Sequence, residues 1–127
     1  MKGLCLGGRF DIMGYEALDF YDVDSLLTDE ERMIRDAVRD WVDESVIPKI
    51  ENACREGVFL DEWRQEIGGM GILGAPLKGY GCPGLSYTAY GVICRELERG
   101  DSGIRSFASV QGSLVMYPIW DFGSEEQ

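Results

Sequence analysis

The sequence has 127 residues, enough for one domain with a hydrophobic core, and 45% of them are hydrophobic. Its formal net charge is −11, and it contains no histidine. The acidic balance argues against nucleic acid and anionic membrane surfaces as partners, because both bind to basic patches. Without histidine, these residues cannot form a histidine-dependent catalytic triad or a His-ligated zinc site.

The cysteines and the apolar segments narrow the class of protein further. Four cysteines are spread along the sequence, and none forms a C-x-x-C pair, so we expect free thiols and no metal site. No apolar run approaches the ~20 residues that a membrane-spanning helix needs, so we expect no membrane insertion. The short apolar patch Leu4–Leu6 is too short for a signal peptide.

The first part of the chain lacks a regular period. Four glycines before residue 15 make a helix there unfavourable, and we expect residues 1–18 to be a poorly ordered extension. Residues 19–127 are then the folded domain. Its first segment, Asp19–Leu27, is predicted to be extended, with Phe20 and Tyr21 tethering it to the domain.

A capping box at Thr28–Glu31 predicts the first helix. Its predicted inward stripe consists of Met33, Ile34, Ala37, Val38, Trp41, Val42 and Val46. The charged flank, which includes Arg35 and Arg39, is typical of a solvated face. Pro48 is expected to break or kink the helix, with a further turn continuing to Gly57.

Two more helices follow with a glycine-rich segment between them. Asp61 begins the second helix, whose predicted inward residues are Trp63, Ile67 and Met70. Residues 72–84 are dense in glycine and proline and cannot be regular throughout. Ser86–Arg99 is the third helix, with an inward stripe of Tyr90, Ile93, Cys94 and Leu97.

The segment Asp101–Phe122 is predicted to be a fourth helix, capped by Asp101 or Ser102, with two unlike faces. One face is apolar except for Gln111. The other is small and polar, with Arg105 as its single charge, so we expect both faces to be packed. The small residues have an alternative explanation, since serine and glycine let another element approach closely.

Arg105 has two candidate partners of different kinds. An arginine that is withdrawn from water needs an anion. Glu98 or Asp101 could supply it from within the domain, or an anionic ligand could, because the planar guanidinium fits a carboxylate bidentately. The sequence favours neither.

Four helices with short connections predict an all-α, helical bundle-like domain. The chain's last residues, Ser124–Gln127, form another capping box with no helix after them. The fourth helix also has more surface to cover than the chain supplies. We therefore expect the sequence to be part of a longer protein.

The residues from about 19 to 127 resemble the amino-terminal helical domain of the acyl-CoA dehydrogenase family, most closely its glutaryl-CoA dehydrogenase branch. The resemblance rests on the TDEE helix opening, on KGYG, on RELERGDSG and on RS-x-x-SVQ-x-SLVM-x-PI. It implies the acyl-CoA dehydrogenase fold, truncated before its β-domain.

The resemblance also implies an activity. The whole enzyme would use FAD to oxidise an acyl-CoA thioester, and the glutaryl branch would decarboxylate the product to crotonyl-CoA. Arg105, Ser106, Ser109 and Glu98 would surround the far carboxylate of the substrate. Most FAD contacts and the catalytic glutamate would lie outside these residues, so no residue here is assigned as the catalytic base, and the fragment alone is expected to be inactive.

The family resemblance extends to partners and compartment. It implies an electron acceptor of the electron-transfer-flavoprotein type, a homotetramer when full length, and a location in the bacterial cytoplasm or the mitochondrial matrix. Two alternatives remain. One is an acyl-CoA dehydrogenase with another chain specificity, but an enzyme for plain fatty acyl chains would need no cation at the position of Arg105. The other is a non-enzymatic helical interaction module.

Overall fold

A computed structural model describes residues 20–127, so the predicted extension 1–18 lies outside the described residues. Within the described part, the chain forms four helical rods and a small hairpin. Two of the rods each contain one wider π-helical turn. The helices are α1 (Asp29–Trp41), α2 (Ile47–Glu56), α3 (Asp61–Gly69), α4 (Tyr87–Gly100), α5 (Ser102–Val110) and α6 (Tyr117–Phe122). The π turns are Val42–Val46, which joins α1 to α2, and Gln111–Met116, which joins α5 to α6. The all-α prediction is confirmed.

The beginning of α1 is the predicted capping box. The Glu31 backbone N–H donates to the Thr28 hydroxyl over 3.2 Å, and the Thr28 N–H donates to the Glu31 carboxylate over 3.0 Å. These two bonds satisfy helix donors that have no partner within the helix. The helix start is therefore fixed by local sequence alone.

Pro48 neither breaks nor ends the first rod. Proline has no N–H and its ring crowds the carbonyl one turn earlier, which a regular α-helix cannot accommodate. The wider turn Val42–Val46 precedes it, and the Ile47 N–H donates to the Val42 carbonyl, five residues back. The rod therefore continues to Glu56 and ends at Gly57, which has the left-handed φ of 66° that favours glycine.

The core lies where α4 packs against α1 on one side and α5 on the other. Its fully buried members include Val42, Val46, Trp63, Ile67, Leu97 and Ile104. The Trp63 indole N–H donates to the Ser45 carbonyl over 3.0 Å, so the largest core side chain is also satisfied as a donor.

Several predicted core positions are wrong. Met33 is 72% exposed, Ala37 is exposed as well, and Met70 is exposed just after the end of α3. Phe20 and Tyr21 are not buried in the core, since both are more than four-fifths exposed. Leu27 is buried in their place.

The segment that precedes α1 is also not extended. Val23–Leu26 forms a 3₁₀ turn. The Arg32 guanidinium donates to the Asp24 carbonyl over 3.0 Å, and Arg35 forms an ion pair with the Asp24 carboxylate over 2.7 Å. Polar contacts and one buried leucine therefore dock it on the domain.

Residues 72–84 contain the only sheet among the described residues, a hairpin of β1 (Lys78–Gly79) and β2 (Cys82–Pro83). Lys78 lies opposite Pro83, and Gly79 opposite Cys82. Gly79, Tyr80 and Gly81 all have positive φ values, between 52° and 83°. Two glycines make that turn accessible at low conformational cost.

Gly112→Ala is expected to lower the free energy of unfolding by about 1–3 kcal/mol. A Cβ atom at Gly112 would lie 2.5 Å from the Leu73 carbonyl oxygen, and a backbone atom cannot turn away as a side chain can. Gly91→Ala is the matched control, because Gly91 lies within α4 with no atom within 4 Å of its Cβ position. It should stabilise the chain by up to about 1 kcal/mol through helix propensity. Urea unfolding measures both, and equal effects would contradict the close packing at Gly112.

Candidate functional site

The corner between α4 and α5 sets the position of the polar face of α5. The Ile104 backbone N–H donates to the Asp101 carboxylate over 3.0 Å, so Asp101, not Ser102, caps α5. Gly100 brings the corner onto the core, since a Cβ atom there would lie 2.7 Å from the Val42 side chain. The tight corner turns α5 back along α4.

Arg105 lies on this face, paired with a carboxylate of α4. Its Nε donates to Glu98 Oε2 over 2.7 Å, and its Nη1 donates to the Ser109 hydroxyl over 3.2 Å. The Ser109 hydroxyl donates in turn to the Ser106 carbonyl over 3.1 Å. Glu98 accepts a further hydrogen bond from Ser102. The internal partner of Arg105 is thus Glu98.

All four predicted site residues belong to this cluster, although by different atoms. Glu98, Arg105 and Ser109 join it by their side chains, whereas Ser106 joins it by its carbonyl oxygen. The small-polar face is only partly packed, because the Arg105 and Glu98 side chains remain 35% and 46% exposed.

The ion pair fixes the charge of both partners. Hydrogen bonds from Ser102 and Arg105 lower the pKa of Glu98, and the hydrogen bond and charge of Glu98 raise the pKa of Arg105. Among the described residues, the hydrogen bonds of the guanidinium engage Nε and Nη1. A guanidinium has five N–H donors, so several remain for a carboxylate that arrives from solvent.

A cleft of about 130 Å³ lies where residues 76–77 meet α4 and the rod that starts with α5. It is lined by Pro76, Leu77, Tyr87, Tyr90, Gly112, Ser113 and Tyr117. Burial raises the pKa of Tyr90, whose hydroxyl interacts with Ser113 and Cys94. The charge of Arg105 also acts on Tyr90 and Cys94, although Arg105 is not among the residues that line the cleft.

Sequence reasoning missed a second charged cluster, centred on Glu96 of α4. Glu96 is 1% exposed. Arg39 donates to its two oxygens from Nε and Nη2, each over 3.0 Å, and Arg95 and Arg99 approach the same carboxylate at 3.2 and 3.3 Å. The solvated-flank interpretation of Arg35 and Arg39 is therefore wrong, since both reach carboxylates of other elements.

The cause of that omission is the position of Glu96 next to an apolar stripe. A glutamate beside Ile93 and Leu97 looks like the edge of a solvated face. The available signal was the excess of arginine around it, at positions 39, 95 and 99. Buried carboxylates are tolerated when such cations surround them.

Two further classes of site find no support in residues 20–127. No group of three or more acidic, cysteine or histidine side chains is placed to hold a metal ion there. Across the same residues, every helix is too short or too polar to cross a bilayer.

An all-α domain of four rods, with a charged and hydroxyl-bearing cluster around Arg105 and a small cleft between α4 and the last rod, defines the class of small helical domain to which the chain belongs. Within that class, the model of the acyl-CoA dehydrogenase N-terminal domain matches residues 28–127, and the chain belongs to this family.

Solved structures and curated proteins agree with this assignment. The glutaryl-CoA dehydrogenase of Mycobacterium smegmatis in complex with FADH2 is 47% identical, with a TM-score of 0.82 over 86% of this chain and 28% of that chain. A second structure of glutaryl-CoA dehydrogenase from the same organism is 51% identical, with a TM-score of 0.76 over 82% of this chain and 27% of that chain.

The curated relatives carry other names. The human mitochondrial short-chain specific acyl-CoA dehydrogenase is 30% identical over 80% of this chain and 25% of its own length. The probable acyl-CoA dehydrogenase YngJ of Bacillus subtilis is 31% identical over 80% of this chain and 27% of its own length. The chain thus spans about a quarter of the curated relatives it matches.

Proposed function

We propose that the chain is the substrate-side helical domain of an FAD-dependent enzyme that oxidises and decarboxylates glutaryl-CoA to crotonyl-CoA. The observation that carries the proposal is Arg105, a partly exposed cation on the polar face of α5 whose bonds to Glu98 and Ser109 leave N–H donors for a ligand. The names of the two similar structures support glutaryl-CoA as the substrate.

The chemistry of the cluster suits a substrate that ends in a carboxylate. A guanidinium binds a carboxylate by two parallel N–H···O bonds, and partial withdrawal from water strengthens them. Ser109 orients the guanidinium by accepting from Nη1. Glu98 holds Nε, which leaves the opposite edge of the fork for the ligand.

The described residues do not fit FAD by themselves. Ligand pockets commonly measure about 300–1,000 Å³, and the cleft between α4 and the last rod is smaller, at about 130 Å³. We therefore expect the flavin and the catalytic base to be held by other parts of a full-length enzyme. An acceptor of the electron-transfer-flavoprotein type, a homotetramer, and a bacterial cytoplasmic or mitochondrial matrix location belong to the same proposal.

A second candidate is oxidation of an unsubstituted short-chain acyl-CoA. The human relative, a short-chain specific enzyme, favours it. Such a substrate ends in a methyl group, and a methyl group gains nothing from the guanidinium of Arg105. Substrate preference therefore separates the two candidates.

A hybrid holoenzyme tests the proposal. Residues 20–127 replace the corresponding segment of the M. smegmatis glutaryl-CoA dehydrogenase, and kcat/KM is measured for glutaryl-CoA and butyryl-CoA. We expect the hybrid to retain FAD and to prefer glutaryl-CoA. A hybrid without flavin, or one that prefers butyryl-CoA, would contradict the proposal.

The isolated 127-residue chain gives a simpler expectation. It should show no dehydrogenase activity and should bind FAD weakly or not at all. Flavin absorbance after purification and gel filtration measures this, and stoichiometric flavin would contradict the assignment of its binding site to other domains.

A further inference from the structure

The Glu98 carboxylate divides its two oxygens between two donors of α5. Its Oε1 accepts a hydrogen bond from the Ser102 hydroxyl, and its Oε2 accepts one from Arg105 Nε over 2.7 Å. Glu98 lies in the last turn of α4, whereas Ser102 is the first residue of α5, four positions further along the chain. The corner at Asp101 therefore brings both donors to the same carboxylate.

The ion pair of Arg105 with Glu98 is consequently held by one hydrogen bond. Nη1 of the guanidinium donates to Ser109 over 3.2 Å, and Nη2 has no hydrogen-bond partner within residues 20–127. Nη2 lies next to Nε in the planar fork, so a carboxylate that contacts Nε with one oxygen is placed to contact Nη2 with the other. In Glu98, that other oxygen is the one bound by Ser102.

A second glutamate of α4 shows the geometry of a pair that no hydroxyl limits. Arg39 donates from Nε to Glu96 Oε2 and from Nη2 to Glu96 Oε1, each over 3.0 Å. The other donors to that carboxylate within residues 20–127 are also arginines. Two parallel bonds make a stronger pair than one. A Glu98 carboxylate with both oxygens available would therefore bind Arg105 in the same bidentate way.

We propose that Ser102 is a positioning residue that keeps Arg105 available to the terminal carboxylate of a dicarboxylic acyl thioester, because it occupies the Glu98 oxygen that would otherwise bind Nη2. The two Nη groups then present the end of the fork to the ligand. This inference rests on the proposed function and adds a residue that acts on Arg105 through Glu98. Ser102 is available for this role, since Asp101 caps α5 and Ser102 is exposed.

Ser102→Ala in the hybrid holoenzyme tests the inference. Alanine removes one oxygen from an exposed position and leaves the Asp101 cap of α5 in place. We expect the ratio of kcat/KM for glutaryl-CoA to kcat/KM for butyryl-CoA to fall roughly tenfold, because the substrate must then break an additional hydrogen bond between charged groups. The butyryl-CoA reaction should change by less than about twofold, as an exposed substitution away from that substrate predicts.

Ser102→Thr and Ser25→Ala are the matched variants. Threonine keeps the hydroxyl, so Ser102→Thr should restore the preference for glutaryl-CoA. Ser25 is another exposed serine, and its hydroxyl donates to the Asp22 carbonyl over 2.7 Å in the segment before α1. Ser25→Ala should leave the ratio within about twofold of the unsubstituted hybrid. An unchanged ratio in Ser102→Ala, or a threonine variant as impaired as the alanine variant, would overturn the inference.

A double-mutant cycle shows whether Ser102 acts through Glu98. Coupled residues give non-additive effects, whereas independent residues give additive ones. In a Glu98→Gln hybrid, the charged pair that Ser102 limits is absent, so Ser102→Ala should have little further effect on the ratio. A fall that is as large in the Glu98→Gln background as in the unsubstituted hybrid would contradict the proposed route.

Arg105→Ala separates this inference from the proposed function. If Arg105→Ala abolishes the preference for glutaryl-CoA and Ser102→Ala does not alter it, only the role of Ser102 is wrong. If Arg105→Ala spares the preference, the proposed function itself is wrong. Circular dichroism of each variant shows that the comparison is made between folded proteins.

Discussion

Glu96→Gln is expected to lower the free energy of unfolding of the chain by about 3 kcal/mol, the lower end of the range for breaking a buried ion pair. Glu96 is 1% exposed, and its carboxylate forms ion pairs with Arg39, Arg95 and Arg99. Glutamine fits the space but removes the charge. The three arginines are each about two-fifths exposed and can turn partly to water, which keeps the loss near the lower end.

Urea unfolding followed by circular dichroism measures this loss. The control is Glu51→Gln, because Glu51 forms an exposed ion pair with Arg55 on the same helix. Such pairs contribute about 0.3–0.5 kcal/mol, so the control should change little. Equal losses in the two variants would contradict the central role of the Glu96 cluster.

The same cluster predicts an acid-sensitive fold. Burial alone would raise the pKa of Glu96, but the hydrogen bonds and charge of Arg39, and the charge of Arg95, outweigh burial and lower it below the ordinary value of 4.5. A lowered folded-state pKa stabilises the fold at pH values above the unfolded pKa. That stability is lost as the pH falls from about 4.5 through the lower folded pKa. Glu96→Gln should flatten this part of the profile of unfolding free energy against pH.

Arg105→Ala is expected to reduce kcat/KM for glutaryl-CoA in the hybrid holoenzyme roughly 30- to 4,000-fold. This corresponds to a loss of about 2–5 kcal/mol of binding free energy in the transition state. The reason is the loss of the cation that would pair with the substrate's far carboxylate. The butyryl-CoA reaction should change much less, because that substrate has no far charge. Steady-state kinetics with both substrates measures the difference.

Arg105→Lys and Arg55→Ala complete this experiment. Lysine keeps the charge but loses the planar fork, so Arg105→Lys should give an intermediate loss. Arg55 is 68% exposed on α2 and forms its ion pair within residues 20–127 with Glu51, so Arg55→Ala controls for removal of a positive charge. The proposed role of Arg105 fails if the two substrates lose activity equally. The fold should survive Arg105→Ala, since the Glu98 carboxylate that it leaves is about half exposed.

Local signals in the sequence predicted the fold well. The predicted caps Thr28 and Asp101 each accept the expected hydrogen bond from a backbone N–H in the first turn. Helix caps depend on four neighbouring residues, so a single sequence contains the information they need. The rods that begin with α1 and α5 follow from these signals, whereas α3 begins after Leu60 without a side-chain cap.

The failures concern contacts between distant parts of the chain. Glu96 is buried because Arg39, 57 residues away, folds onto it, and no local pattern reports that pairing. The π turns were also missed. Gln111–Met116 turns its rod so that Gly112 meets the Leu73 carbonyl, which depends on packing between elements.

In the candidate site, too, local features were predicted and contacts between elements were not. The polar face of α5 and the candidate partner Glu98 could be read from spacing alone. The sequence could not decide whether Glu98 or a ligand holds Arg105, because the answer depends on the angle at the α4–α5 corner. Tyr90 was predicted as part of an inward stripe, and the structure places it half-buried at the wall of the cleft.

The burial pattern has a consequence for synthesis on the ribosome. Among residues 20–127, every buried hydrophobic side chain lies between Leu27 and Ala108. Leu114 and Phe122, further along the last rod, are 70% and 82% exposed. The core can therefore close as soon as Ala108 has left the exit tunnel, while later residues are still being translated. Substitutions at exposed positions beyond Ala108, such as Leu114 and Phe122, should therefore leave the nascent core intact.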